Sequence, residues 1–275
     1  MGAILMSSAI IPLVAGLAFA AVVFAARPGP AVMVLAAAAA VLIVTCGLEG
    51  LPPLPPVSSK HKLPYIFAGL GLLTALAARQ GRAPHPALAA LFGLAALAWI
   101  GERKLLADPL QPELALVLLP VAGMAIAAKA AGSARHRPLL WPGFTILTAL
   151  AGSYISVTGG YIGLAQFLGA LAALVGAYAL VLYVRQLTGR DTAVAGTGAV
   201  GWFLVAVLSV VLGSIAMFAS RLSTPAFVIL SLAYLTPPLA ARSVKSASWW
   251  APVAQGAVTL AVVLAAACVA AFSTA

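Results

Sequence analysis

Charge is scarce in this sequence. Its 275 residues include 5 acidic and 15 basic side chains, and 7% charged residues stand against 64% hydrophobic ones. A soluble domain carries about a quarter charged residues, because little else keeps its surface wetted. With a mean hydropathy of +1.13, the chain is excluded from that class. Carboxylates are scarcer still: the two aspartates, Asp108 and Asp191, are far apart between apolar runs. That separation excludes an intramembrane aspartyl dyad, which needs both acids at one depth. Cysteine is limited to Cys46 and Cys268, with no C-x-x-C spacing. The two thiols could pair only if the segments carrying them touch, and redox or metal chemistry of the paired-cysteine kind is not expected. His61, His85 and His136 lie in three separate loops with no second ligand at metal-binding spacing. No histidine at membrane depth is available to activate a serine.

What the sequence has in abundance is apolar runs. A bilayer core of about 30 Å calls for about 20 apolar residues in a helix. Ten such spans are expected, at 4–26, 30–47, 63–78, 86–101, 113–130, 139–157, 161–184, 194–219, 223–241 and 249–272. The third and fourth are short for a crossing. The expected fold is therefore all-α, a polytopic integral membrane helix bundle of about ten transmembrane helices forming one transmembrane domain over 1–275. Five spans fall in 1–133 and five in 134–275, and an odd number per half would invert one half against the other. No internal sequence repeat accompanies that division.

The few charges orient the chain. With both termini outside, the inner loops hold Arg27, Arg79, Arg82, Lys129, Arg135, Arg137, Arg185, Arg190, Arg242 and Lys245 with Asp191 as their sole acid. The outer loops hold Lys60, Lys62, Arg103, Lys104 and Arg221 together with Glu49, Glu102, Asp108 and Glu113. That asymmetry is the one the positive-inside rule describes. The net charge of +10 is thus a topology signal, and nucleic acid is not an expected partner. No Lys or Arg precedes the first span, so it is expected to be an anchored helix rather than a cleaved leader. Trp141, Trp202, Trp249 and Trp250 fall near inner span ends, and Tyr65, Trp99, Tyr154 and Tyr161 near outer ones, as an aromatic belt would place them.

One motif asks to be tested against this frame. Gly196-Thr197-Gly198-Ala199-Val200-Gly201 spells G-x-G-x-x-G. The dinucleotide fingerprint needs a strand before it, a helix after it and an acidic residue about 20 positions on. Here an apolar span surrounds it and Ser220-Arg221 stand where the acid should be. No cofactor is expected; the glycines, like Gly169 and Gly176 in span seven, read as small residues that let helices approach closely.

Polar groups at membrane depth are the usual pointers to a solute path, and none here is charged. The segment between spans six and seven collects most of them. Ser153, Tyr154, Ser156, Thr158 and Tyr161, with Gln166 about one turn beyond, form the candidate solute pathway, and the hydroxyls are expected to partner the Gln166 amide. Thr145, Thr148, Ser209, Ser214 and Gln255 are further polar residues within spans, and hydroxyls of this kind can also bond to their own helix carbonyls. Pro237 and Pro238 remove two successive backbone donors from span nine and form a candidate helix break. In the outer loops, Leu51-Pro52-Pro53-Leu54-Pro55-Pro56-Val57 favours polyproline II and could cap the outer mouth. Glu49, Lys60, His61 and Lys62 form a polar loop, and the mixed charges of 102–108 are expected to pair among themselves.

The expected partner is the lipid bilayer, at the cell's inner (plasma) membrane. Two readings of function follow from different classes. One is a carrier or facilitator of a small-molecule solute. The other is a non-catalytic subunit that scaffolds other membrane subunits in a larger complex. No catalytic or metal-binding constellation is present in the sequence to favour an enzyme.

Overall fold

Prolines open many of the helices. A proline in the first turn sacrifices only an amide that has no helical partner anyway, and its fixed φ suits a helix start. Pro12, Pro30, Pro86 and Pro225 occupy such positions at the starts of α1 (Ile11–Ala26), α2 (Pro30–Glu49), α4 (Pro86–Ile100) and α10 (Thr224–Leu232). A π-helical turn, Met6–Ile10, precedes α1, and α3 (Ser59–Arg79) lies between α2 and α4. The short α5 (Glu102–Ala107) follows, and a 3-10 segment, Pro112–Val117, runs into α6 (Leu118–Ala130). Then come α7 (Leu140–Thr158), α8 (Ile162–Leu187) and α9 (Thr197–Phe218). After α10 a 3-10 turn, Ala233–Leu235, leads to α11 (Thr236–Ser243), and α12 (Ala251–Ser273) closes the bundle. This computed structural model describes residues 6–82, 84–108, 111–131, 137–190, 192, 196–243 and 251–273. Arg135, His136, Asp191, Lys245, Trp249 and Trp250 lie outside them, as does the side chain of Glu113.

No strand occurs among the described residues, and each of the ten expected spans overlaps a helical segment. Seven segments, with α10 through α11 taken as one, are long and apolar enough to cross a bilayer; α1, α4 and the segment ending in α6 are apolar but shorter. The chain is an all-α polytopic membrane bundle. The third segment is longer than its apolar run suggests. Ser59, Lys60, His61 and Lys62, read from the sequence as loop, form the first turn of α3. Lys62 can be buried there because its ammonium donates to the Trp99 carbonyl (2.6 Å) and to Glu102 Oε2 (3.0 Å) while lying over the Trp99 ring.

The axis of the bundle is α9. Its whole apolar window is buried, against 22% for α12, although the two helices are equally apolar. Two glycines of α9 take neighbours at close range where lipid supplies no hydrophobic push. A Cβ on Gly201 would stand 2.8 Å from Trp141 Cβ, and one on Gly213 2.6 Å from a Leu97 methyl. Around α9 pack α2, α3, α4, α6 and α7, while α1 lies on α8 and α12 lies on α7 and α10. Trp141 and Trp202 therefore serve the core. Both are fully buried, and the Trp202 indole donates to the Met124 carbonyl (3.2 Å), so neither belongs to an aromatic belt.

Other close contacts fall where the sequence did not point. Gly169 and Gly176, expected to mediate packing, have open space where a Cβ would project. The approach of α8 to its neighbour is made instead by Gly16 of α1, whose Cβ would collide with the Leu174 carbonyl.

Loops gather at two ends. At one, Lys60 pairs with Glu49 (2.6 Å), Lys62 with Glu102 (3.0 Å), and Lys104 donates to the Met217 carbonyl. Glu102 and Lys104, expected to pair within 102–108, thus bind α3 and α9. At this end the Tyr65 hydroxyl donates to the Pro53 carbonyl (3.2 Å), tethering the proline loop, while Leu51, Leu54 and Val57 stay exposed. At the other end the Arg137 guanidinium donates to the Ala240 carbonyl (3.0 Å), and Arg185 covers the Phe24 ring at 4.3 Å. Cys46 and Cys268 are both free thiols.

Candidate functional site

Two interruptions of regular helix lie among the residues singled out in the sequence, and they differ in depth. The first is the turn between α7 and α8. Gly160 at φ +81° lets the chain reverse within Gly159-Gly160-Tyr161, a conformation that suits a residue without Cβ. The serine and threonine hydroxyls beside the turn are committed to carbonyls. Ser153 Oγ donates to Ala165 O across to α8 (2.8 Å), Ser156 Oγ to Tyr161 O (2.7 Å), and Thr158 Oγ1 to Ile155 O (3.0 Å). Tyr154 is exposed. Tyr161 rests against Phe218, and burial pushes its phenol above the usual range, with Glu49 adding to the effect. Gln166 is exposed on the outer face of α8. The structure thus brings Ser153, Ser156 and Tyr161 together as a stapled hairpin turn and leaves Tyr154 and Gln166 facing outward. Ser153 and Ser156, expected to bond to the Gln166 amide, bond to backbone carbonyls instead.

The second interruption is in span nine, where the two prolines stand. α10 has nine residues and α11 eight, with a three-residue 3-10 turn between them. At 1.5 Å per residue each half is about 12 to 14 Å long, so the turn falls close to mid-span. Pro237 has no N–H to offer the carbonyl of Ala233 four residues back. That carbonyl instead accepts from the Thr236 backbone N–H and from Thr236 Oγ1 (2.8 Å). With its own proton so used, Thr236 accepts from Thr259 of α12 (2.7 Å). The break is thereby fastened to a neighbouring helix, as irregular backbone at membrane depth requires.

Tyr234 sits in the turn itself and is fully buried. Its ring stands against Phe144 (5.2 Å between centroids) and against Gly123 of α6, where a Cβ would come within 2.5 Å of it. Its hydroxyl meets Ser209 Oγ of α9 at 2.6 Å. Ser209 has one proton and donates it to the Val205 carbonyl (2.8 Å), so Tyr234 is the donor in the pair. Helices α6, α7, α9 and α12 converge on this one turn.

On α7 are two buried polar atoms that have no hydrogen-bond partner among the described residues: Trp141 Nε1 and Thr148 Oγ1. Their neighbour Thr145 follows the common solution and donates to the carbonyl four residues back, Trp141 O (2.9 Å), as Thr45, Thr74 and Ser214 do in their helices. Seven residues separate Trp141 from Thr148, which is close to two turns and places both on one face of α7. Unpaired buried donors and acceptors are uncommon in native structures and call for an explanation. The sequence identified the double proline as a break, but Tyr234 gave no signal there as the side chain that ties it to its neighbours: it is an aromatic in an apolar run.

The G-x-G-x-x-G pattern finds its purpose in packing at the start of α9. Gly196 adopts φ +103° with Pro30 of α2 where its Cβ would be, and Gly201 receives Trp141. Among the described residues no group of three or more His, Cys, Asp or Glu side chains could hold a metal ion. No protein-family model, curated protein or solved structure matches the chain.

Proposed function

We propose that this membrane protein is a carrier or facilitator of a small, uncharged, polar solute, with its polar centre at the break between α10 and α11. The observation that carries the reading is that break: a discontinuous helix near the middle of its span, held by the hydroxyl pairs Tyr234–Ser209 and Thr236–Thr259. Interrupted helices near the bilayer midplane are where solute sites of many transporters form. The polar side chains joined there, Tyr234, Ser209, Thr236 and Thr259, are all hydroxyls, which suit a solute that both donates and accepts hydrogen bonds. A charged solute would find no counter-charge among them.

Osmotic swelling tests the reading. Purified protein is reconstituted into vesicles, which are shocked with glycerol, erythritol or urea while light scattering is followed. Faster relaxation than in protein-free vesicles, reduced by Tyr234→Phe and by Thr148→Val at equal folded protein, is the expected result. Rates equal to those of protein-free vesicles for all three solutes would remove the carrier reading.

A second reading, that of a subunit scaffolding other membrane proteins, is favoured by one face of α8. Gln166, Gly169 and Gly176 lie along it without a neighbour, and a small-residue surface with one amide suits a helix from another chain. Stable copurification of another membrane polypeptide in mild detergent, lost on Gly169→Leu, would place that reading first.

A further inference from the structure

We propose that the end of the bundle bearing Arg82, Lys129 and Arg242 holds an anionic phospholipid, its phosphate between these cations and its acyl chains along the leucines beneath. Two grooves meet there. The larger, about 660 Å³, runs between the ends of α3 and α6 and the start of α4; Arg82, His85 and Lys129 border it and Leu76 and Leu88 line it. The smaller, about 460 Å³, lies on the other side of the α6 end, between Ile126, Lys129, Pro238 and Arg242. Lys129 belongs to both, so one cation sits on the ridge between two open clefts.

The chemistry of the lining is amphipathic in the sense a lipid requires. Arg82, Lys129 and Arg242 are exposed, and among the described residues no carboxylate lines either groove. Leu76 and Leu88 are each more than half exposed beside them, and apolar surface next to unneutralised cations at a span end matches a headgroup above acyl chains. Basic pockets between transmembrane helices are a known form of phospholipid headgroup recognition. The opposite end offers the contrast: there Lys60 and Lys62 have Glu49 and Glu102 as partners and Lys104 has a carbonyl. Free phosphate shares the headgroup chemistry, but only a lipid also uses the leucine floor.

Native mass spectrometry of the detergent-purified protein tests this, with phosphatidylglycerol and phosphatidylcholine of identical acyl chains as probes and inorganic phosphate as competitor. Phosphatidylglycerol should be retained preferentially, and the preference should fall about fivefold for each cation removed in Arg82→Gln, Lys129→Gln and Arg242→Gln. Arg103→Gln, at the other end, should leave it unchanged. Size-exclusion profiles identify any variant that fails to fold, and the two remaining single variants then carry the comparison. Equal retention of both lipids, a preference untouched by the substitutions, or complete displacement of the lipid by inorganic phosphate would overturn the proposal. The measurement involves no solute flux, so its outcome is independent of the carrier reading.

Discussion

The turn between α7 and α8 and the turn between α10 and α11 are both interruptions of helix rich in polar or helix-breaking residues, yet they solve different problems. The first reverses the chain between two antiparallel helices, and its serines and threonine donate to carbonyls beside the turn, one of them across to the second helix. The second does not reverse the chain. It continues in the same span through a 3-10 turn and reaches α6, α7, α9 and α12 through Gly123, Phe144, Ser209 and Thr259. A glycine-rich polar stretch is thus a weaker sign of a solute site than a break that the chain must support at mid-span. The serine and threonine hydroxyls at the first turn bond to backbone carbonyls, whereas those at the second bond both to carbonyls and to one another.

The largest effect that can break this comparison comes from a glycine. Gly123→Leu should leave little folded protein, because overpacking against the Tyr234 ring costs about 3 kcal/mol or more with no flexible side chain able to yield. Gly169→Leu, where a Cβ meets nothing, should fold like the parent. A monodisperse Gly123→Leu protein in parental yield would show that the break is not packed as described.

Next in size is the hydroxyl pair. Tyr234→Phe removes one buried hydrogen bond, at about 1 kcal/mol, and Ser209 keeps its bond to Val205, so thermal unfolding in detergent should shift only modestly. Swelling rates, in contrast, should lose most of their protein-dependent component. Ser153→Ala sharpens the contrast at comparable stability cost, since it also deletes one interhelical hydroxyl bond, of about 1 kcal/mol. Its swelling rate should match the parent's, and a large loss would return the first turn to candidacy. The smallest effect belongs to Gln166→Leu, an exposed position, where stability should stay within about 0.5 kcal/mol and swelling should not change.

Much of the architecture was legible in the sequence. Long apolar runs separated by charged loops can do little in a bilayer except cross it as helices, and the ten expected spans each overlap a helical segment. Pro237 and Pro238 announced the break because a missing N–H is visible in the residue itself. What escaped was contact. Apolarity does not separate the central α9 from the peripheral α12, and the aromatic ring of Trp141 reads equally well as belt or as core until Gly201 is seen beneath it. Gly169 and Gly176 looked like packing glycines on spacing alone, whereas Gly16, with no such pattern, makes the closest approach. Lys62 was read as loop because a lysine in a helix at a span end is stable only if something receives its charge. The receivers, Trp99 and Glu102, are about 40 residues away in the chain.

The most direct test of the difference between the two turns is glycerol permeation into vesicles holding equal amounts of folded Tyr234→Phe or Ser153→Ala protein, measured side by side with the parent. The account predicts parental rates for Ser153→Ala and rates near those of protein-free vesicles for Tyr234→Phe. The reverse order, or equal rates in both variants, would contradict it.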